Sequence, residues 1–355
     1  MEGCSALLAA LALAVGHRRK GGAHEPRPGR ADRFWGELAL QDWVAFAYLL
    51  LLLACSIAGD GPRRTTAITY VGFDLAIFFG ALVAVRGGFV SGATAALVYR
   101  AALFVAIFGS FTHLQYVLPT ARSVVVDGEL YALDRALFGF EPAELLDRWV
   151  THDTTEWFAF FYFGYFLLLA AHIGGFMMSR RIGLLAEVSL GVVLVFAIGQ
   201  LLYIAVPGHG PYIHLADRFE RPLEGGFWWS LVRSTVDSVD ESARTDIFPS
   251  LHTAAPTYLA LFSFRHRRER PFRYTWLPLG LFTSQIVLST MFLRWHYLVD
   301  VVAGLVLATT VSRVAHRLAT RESARRLATG KSPVWTPIWE LPAAPAVLDV
   351  PVVKT

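Results

Sequence analysis

The feature that most limits what this chain can fold into is a series of apolar runs, each close to the length of a membrane-crossing helix. They lie near residues 38–58, 66–86, 93–118, 157–178, 183–206, 250–265, 273–293 and 296–317. Crossing hydrocarbon takes about 20 apolar residues as a helix, and hydrocarbon admits only backbone whose polar groups are satisfied within the element. An all-α polytopic membrane protein of about eight transmembrane helices follows. The balance of 55% hydrophobic to 17% charged residues agrees, since a soluble domain of this length carries more charge. The sixth run, LHTAAPTYLALFSF, is short and contains Pro256, but its basic flank supports it.

Charge placement sets the expected topology. HRRK and RPGRADR precede the first run, Arg86 ends the second, SRR (179–181) follows the fourth, and RHRRERPFR (265–273) follows the sixth. With the tail RESARRLATGK, all of these fall on one side if every run spans, and the positive-inside rule makes that side cytoplasmic. Only Arg63 and Arg64 dissent. Both termini are then cytoplasmic, and segments 119–156 and 207–249 face the other way. The usage of Ala, Arg and Gly suggests a bacterial source, hence a plasma membrane whose outer face is extracytoplasmic.

Four regions result: an N-terminal cytoplasmic segment (1–37), two extra spans (38–92), a six-helix core (93–317) and a cytoplasmic tail (318–355). Residues 1–16 look like a short signal peptide, but Glu2 replaces the usual positive start and the basic run follows, so an amphipathic or loosely ordered piece is expected. Cys4 and Cys55 provide neither a disulfide framework nor metal-ligand spacing. No basic stripe accompanies a nucleic-acid-binding motif, which argues against nucleic acid as a partner. Nothing in the sequence sets an oligomeric state.

Two polar segments interrupt the apolar pattern. Residues 121–150 read as short amphipathic helices lying along the outer interface. Residues 207–249 form a loop too long to be a plain connection, rich in Gly, Pro, aromatic and charged residues. Within it, Trp228–Trp229 suit an interfacial belt.

The chemistry concentrates in two stretches. In FPSLHTA (248–254), Pro249–Ser250 opens a helix, with Ser250 a favourable N-cap. A helix start of this kind presents free N–H groups that suit phosphate, and His252 lies in its first turn. In RWHYLVD (294–300), His296 and Asp300 are four apart, the spacing that brings side chains together on a helix. A carboxylate holding one ring nitrogen leaves the other free as a nucleophile. Two histidines at separate helix mouths can divide in-line attack on phosphorus from protonation of the leaving oxygen.

These stretches resemble the type 2 phosphatidic acid phosphatase superfamily, with its motifs K(x)6RP, PSGH and SR(x)5H(x)3D. The resemblance implies that His296 is the nucleophile forming a phosphohistidine, that Asp300 orients it, and that His252 acts as acid and then base. Ser250 would help hold the phosphate, and no metal or other cofactor would be used. Here PSLH replaces PSGH, Ser289–Thr290 puts Thr in the Arg position, and His214 with Arg221–Pro222 stands in for the first motif. Arg294, Arg244 and Arg221 are the candidates to neutralise phosphate. FPSLH, HYLVD and the GHGPY lead-in are more similar to the inositol phosphorylceramide synthase branch, which implies a phosphotransferase passing a head group from a lipid phosphoester to a hydroxyl acceptor. The alternative is a lipid phosphate or polyprenyl pyrophosphate phosphatase with water as acceptor.

The same residues admit other uses. His252, His296 and Asp300 could form a two-histidine, one-carboxylate metal site, although no fourth ligand stands out. Arg100, Asp74 and His113 could line a transport path or serve as buried partners of one another and of backbone carbonyls. No inverted halves favour transport.

Overall fold

Every apolar run becomes a helix in the computed structural model, which describes residues 30–122, 124–239 and 243–339. The first helices are α1 (Arg30–Glu37), α2 (Leu40–Ala58), α3 (Arg64–Arg86) and α4 (Gly92–Ala121), the last with a π-helical turn at Val105–Gly109. Two short helices follow, α5 (Asp127–Phe138) and α6 (Pro142–Leu146), and then α7 (His152–Met177) and α8 (Ile182–Ala205). The long loop contains α9 (Pro211–His214) and α10 (Phe227–Asp237). The chain closes with α11 (Leu251–Arg265), α12 (Phe272–Phe292) and α13 (Leu298–Ala328). No strand occurs among the described residues. The amphipathic helices expected at 121–150 are α5 and α6.

Six of these helices are long and apolar enough to cross a membrane: α2, α3, α4, α7, α8 and α13. Helix α11 has only 15 residues. Helix α12 has 21 but dilutes its apolar surface with Thr283, Ser284, Gln285, Ser289 and Thr290. The protein is thus an all-helical integral membrane protein.

The chain divides into two compact units, Met1–Gly36 and Glu37–Thr355. Of the first, only the residues of α1 are described, so the signal-like stretch 1–16 lies outside the described residues, as does 340–355 of the tail. The described part of the tail is more ordered than expected. Helix α13 continues past residue 317 to Ala328, and Trp335 beyond it is fully buried.

A buried polar network explains how the two extra spans join the rest. Asp42 on α2 pairs with Arg86 on α3 at 2.9 Å and accepts from the Tyr99 hydroxyl on α4. Gln41 donates to Tyr99 at 2.6 Å, Ser189 on α8 donates to Gln41 at 2.8 Å, and the Trp335 indole donates to Ser189 at 2.9 Å. Polar groups withdrawn from water are costly unless paired, so this chain of bonds fixes four helices and the tail together. Arg100 and His113 behave as buried partners. Arg100 donates to the Met177 and Ala96 carbonyls, and His113 meets Asp74 at 2.7 Å.

Helices α8, α11 and α13 pack on one another and carry the functional ends. Gly304 on α13 allows the close approach: a Cβ there would lie 2.6 Å from the Ser250 carbonyl oxygen. Above them, α10 is held by Glu156 of α7, which accepts from the amides of Gly226, Trp228 and Trp229 at 2.9, 2.6 and 3.0 Å. An acidic side chain at a helix N-terminus also offsets the positive end of its dipole. Trp229 is buried by this arrangement rather than left as an interfacial anchor.

Candidate active site

Ser250 caps α11 as its residue type suggests. Its hydroxyl accepts from the Thr253 amide at 3.3 Å, and its own amide donates to the Asp300 carbonyl at 3.0 Å. That backbone bond ties the mouth of α11 to the mouth of α13, so FPSLH and RWHYLVD meet. The rings of His252 and His296 stand 6.4 Å apart, centroid to centroid, at 48°.

His252 sits in an aromatic box. Tyr162 stacks on it at 4.3 Å and 11°, Tyr165 lies at 4.1 Å, and Phe166 meets it edge-on at 5.8 Å. All three come from α7, which places that helix beside the acid–base candidate. Trp295 extends the wall, stacked on Tyr212 at 4.7 Å.

His296 does not share a helical face with Asp300, contrary to expectation. Helix α13 begins only at Leu298, and His296 lies in the turn before it. The Asp300 carboxylate instead accepts from the Tyr297 amide at 2.9 Å, the usual pull of an N3 carboxylate towards the start of its helix. Its contact with His296 Nδ1 is 3.4 Å, a loose approach rather than a hydrogen bond. Burial pushes the His296 ring down to about 4, although Asp246 and the Ile247 backbone favour its charged form. At neutral pH the ring is therefore uncharged. Asp246, just before FPSLH, is itself raised by burial.

Arg294 occupies a left-handed backbone conformation, φ 65°, which costs a non-glycine residue about 1–3 kcal/mol and clusters at functional sites. Its guanidinium pairs with Asp147 at 2.6 Å, donates to the Arg221 carbonyl at 2.6 Å and covers the Phe219 ring at 3.9 Å. The other basic candidates are engaged with different partners. Arg221 donates to the Val150 carbonyl at 3.4 Å, and Arg244 binds the Val239 carbonyl and Asp237 at 2.7 and 3.3 Å. His214 lies 6.5 Å from the Tyr131 ring. The structure thus brings His252, His296, Asp300 and Ser250 to the meeting of the two helix mouths, with Arg294 and Arg221 joined beside them through the Arg221 carbonyl, while the Arg244 and His214 side chains make their contacts elsewhere in the loop.

Five buried polar atoms in this small region have no protein partner: His252 Nε2, Arg294 Nε, Trp295 Nε1, His296 Nδ1 and Asp300 Oδ1. Buried polar groups are nearly always bonded, so this concentration sets the region apart as the candidate site. No group of three or more His, Cys, Asp and Glu side chains among the described residues could hold a metal ion.

Sequence reasoning missed the carboxylates beneath the site. Asp134 accepts from the Leu298 and Val299 amides, and Asp127 accepts from the His209 and Gly210 amides at 2.9 and 2.8 Å. Asp127 also accepts from the Tyr297 hydroxyl at 3.1 Å. Burial and the neighbouring Asp134 raise Glu141 to about 9, so it keeps its proton at neutral pH. The available signal was spacing: Asp127 and Asp134 are seven apart, two turns along one face of an amphipathic helix.

The family model described as PAP2 superfamily matches residues 128–314, more than half of the chain, spanning the carboxylate-bearing helix, both histidines and most of α13. No curated protein and no solved structure matches the chain. With the histidine pair at the meeting of FPSLH and RWHYLVD, the chain belongs to the PAP2 superfamily, phosphatases and phosphotransferases that act on lipid phosphates.

Proposed function

We propose that this protein is a metal-independent phosphotransferase that moves a phosphate-bearing head group from a lipid phosphoester to a hydroxyl acceptor through a phosphohistidine on His296. The observation that carries this reading is the pair of histidine rings 6.4 Å apart, where the mouths of α11 and α13 meet, in a site walled by aromatic rings. His296 attacks phosphorus through Nε2 as the bond to the leaving alkoxide breaks, and His252 donates that alkoxide its proton. His252 then takes the proton of the acceptor hydroxyl, whose oxygen attacks phosphorus and releases His296. Asp300 stands beside Nδ1 and stabilises the ring as it becomes charged. Arg294 Nε and the α11 first turn at Ser250 meet the phosphate, with Arg221, Arg244 and His214 closing over it from the loop.

The aromatic wall supports a lipid or polyol hydroxyl over water, because it withdraws bulk solvent from the acceptor side. In this reading α11 and α12 also cross the bilayer, giving eight spans with both termini cytoplasmic. The site then faces the extracytoplasmic side of a bacterial plasma membrane, and substrate enters laterally between helices. The last six spans, residues 93–317, form the catalytic core.

The test is intact-protein mass after brief exposure to mixed lipid phosphoesters and an alkaline quench, which preserves phosphohistidine. An adduct should accumulate in His252→Ala and be absent from His296→Ala, with a mass that identifies the transferred group. Turnover without an adduct in either background would remove His296 from this role. Rapid release of phosphate with no alcohol added would make the protein a phosphatase instead.

A further inference from the structure

A cavity lies at the other ends of the helices that carry the histidines. It has a volume of about 560 Å³ and is bordered by the start of α8, the loop after α11 and the late turns of α13. Helix α8 has 24 residues, so at 1.5 Å per residue its two ends are about 36 Å apart. Nothing in the reaction proposed above uses this space.

Its lining is basic. Arg180, Arg181, Arg326 and Lys331 line it together with Glu187 and Glu269, and Arg326 is itself paired with Glu322 at 3.4 Å. Both lining carboxylates are already compensated. Glu187 is met by Arg265 at 2.7 Å, His316 at 2.9 Å and His266 at 3.3 Å. Glu269 is met by Arg181 and by His266 at 3.2 Å. Arg180 is exposed and has no ion pair among the described residues. The first turn of α8, capped by no side chain, adds the positive end of a helix dipole. Leu184, Leu327, Val334 and Trp335 give the cavity an apolar part of its lining.

We propose that this cavity binds a phosphate ester bearing an apolar substituent, a second ligand site remote from the histidines. The basic part of the lining suits the phosphate, and the apolar part suits the carbon next to it. A space of this size exceeds what inorganic phosphate needs and falls in the range of small-molecule sites. The same face carries the arginine-rich turns 179–181 and 265–273, and such clusters attract anionic lipids. A phospholipid of that leaflet and a soluble phosphate monoester share this chemistry.

The test uses the full chain in nanodiscs, with thermal unfolding and native mass spectrometry as readouts. Wild type is compared in phosphatidylcholine discs, in discs containing phosphatidylglycerol, and in phosphatidylcholine discs with added glycerol 3-phosphate. A rise in midpoint of a few degrees with phosphatidylglycerol, with lipid retained in the gas phase, assigns the site to a lipid; a rise with glycerol 3-phosphate assigns it to a soluble ester. In either case Arg180→Glu should weaken binding about tenfold or more. The milder Arg180→Gln should weaken it less, and basal turnover should persist in both. Stabilisation equal in wild type and both variants, or absent under every condition, would overturn the proposal.

Discussion

Asp134 accepts hydrogen bonds from the backbone amides of Leu298 and Val299, at 2.6 and 2.8 Å, and so holds the start of the helix that carries Asp300. Asn at 134 keeps one acceptor oxygen but sets an N–H₂ against a backbone donor. Losing one such buried bond costs about 1–3 kcal/mol. The turn bearing His296 should shift, and sub-ångström placement governs in-line attack. Asp134→Asn should therefore lower kcat about 10- to 100-fold with little change in KM. A folded variant with unaltered kcat would show that Asp134 has no positioning role.

The proton held by Glu141 gives stability a definite pH dependence. Burial raises Glu141 to about 9, so the folded protein holds a proton that the unfolded chain releases above the ordinary carboxyl range. This contribution is complete at acid pH and fades as pH rises from about 5 to about 9, by at most about 1.4 kcal/mol per unit. Glu141→Gln should flatten that slope, as read from unfolding midpoints across the range. Parallel slopes in wild type and variant would contradict the assignment.

Activity should have a low acid limb. The His296 ring is held down to about 4 by burial, and attack requires its neutral form. kcat/KM should thus fall only as pH drops towards that value, well below the 6.5 of an ordinary histidine. The same depression makes the fold less stable as pH falls below 6.5, since unfolding then takes up a proton. An acid limb between 6 and 7, assigned to His296 by its loss in a variant, would refute this.

Arg294 and Asp147 are both buried, 5% and 8% exposed, and 2.6 Å apart. Removing one partner of such a pair costs about 3–5 kcal/mol because the other charge is stranded. Arg294→Gln and Asp147→Asn should each destabilise strongly, and the double variant should cost clearly less than their sum in denaturant titration. Additive losses would mean that the pair is not coupled.

Gly210 adopts φ 84°, and a Cβ there would lie 2.4 Å from the Trp295 carbonyl oxygen. Gly210→Ala should push the loop away from the turn that holds His296. The expected result is a stability loss of about 1–3 kcal/mol and reduced turnover. Wild-type behaviour in both assays would show that the loop yields freely.

The helices were readable because a hydrocarbon solvent leaves so few solutions for a long apolar run. His252, His296 and Ser250 were readable because motif order is a one-dimensional property. Asp127, Asp134 and Glu141 were not, since their partners are backbone amides 82 to 165 residues away or another buried carboxyl. Arg294 was readable as a site residue, but not as half of an ion pair, because Asp147 reaches it only after α5 and α6 fold back over the bundle. The helical pairing assumed for His296 and Asp300 failed for a local reason: the N3 carboxylate is claimed by the Tyr297 amide.

One consequence follows from the shortness of α11. At 15 residues it is about 22 Å long, some 8 Å less than a typical hydrocarbon core. On the proposed eight-span topology, Arg265 at one end and Ser250 at the other both need polar surroundings, so the surrounding bilayer would thin to meet them, at a modest cost per ångström. On that topology the enzyme would act as a gauge of its membrane. It should work fastest among short acyl chains and slow as the lipids around it lengthen, even when the head groups presented to it are identical.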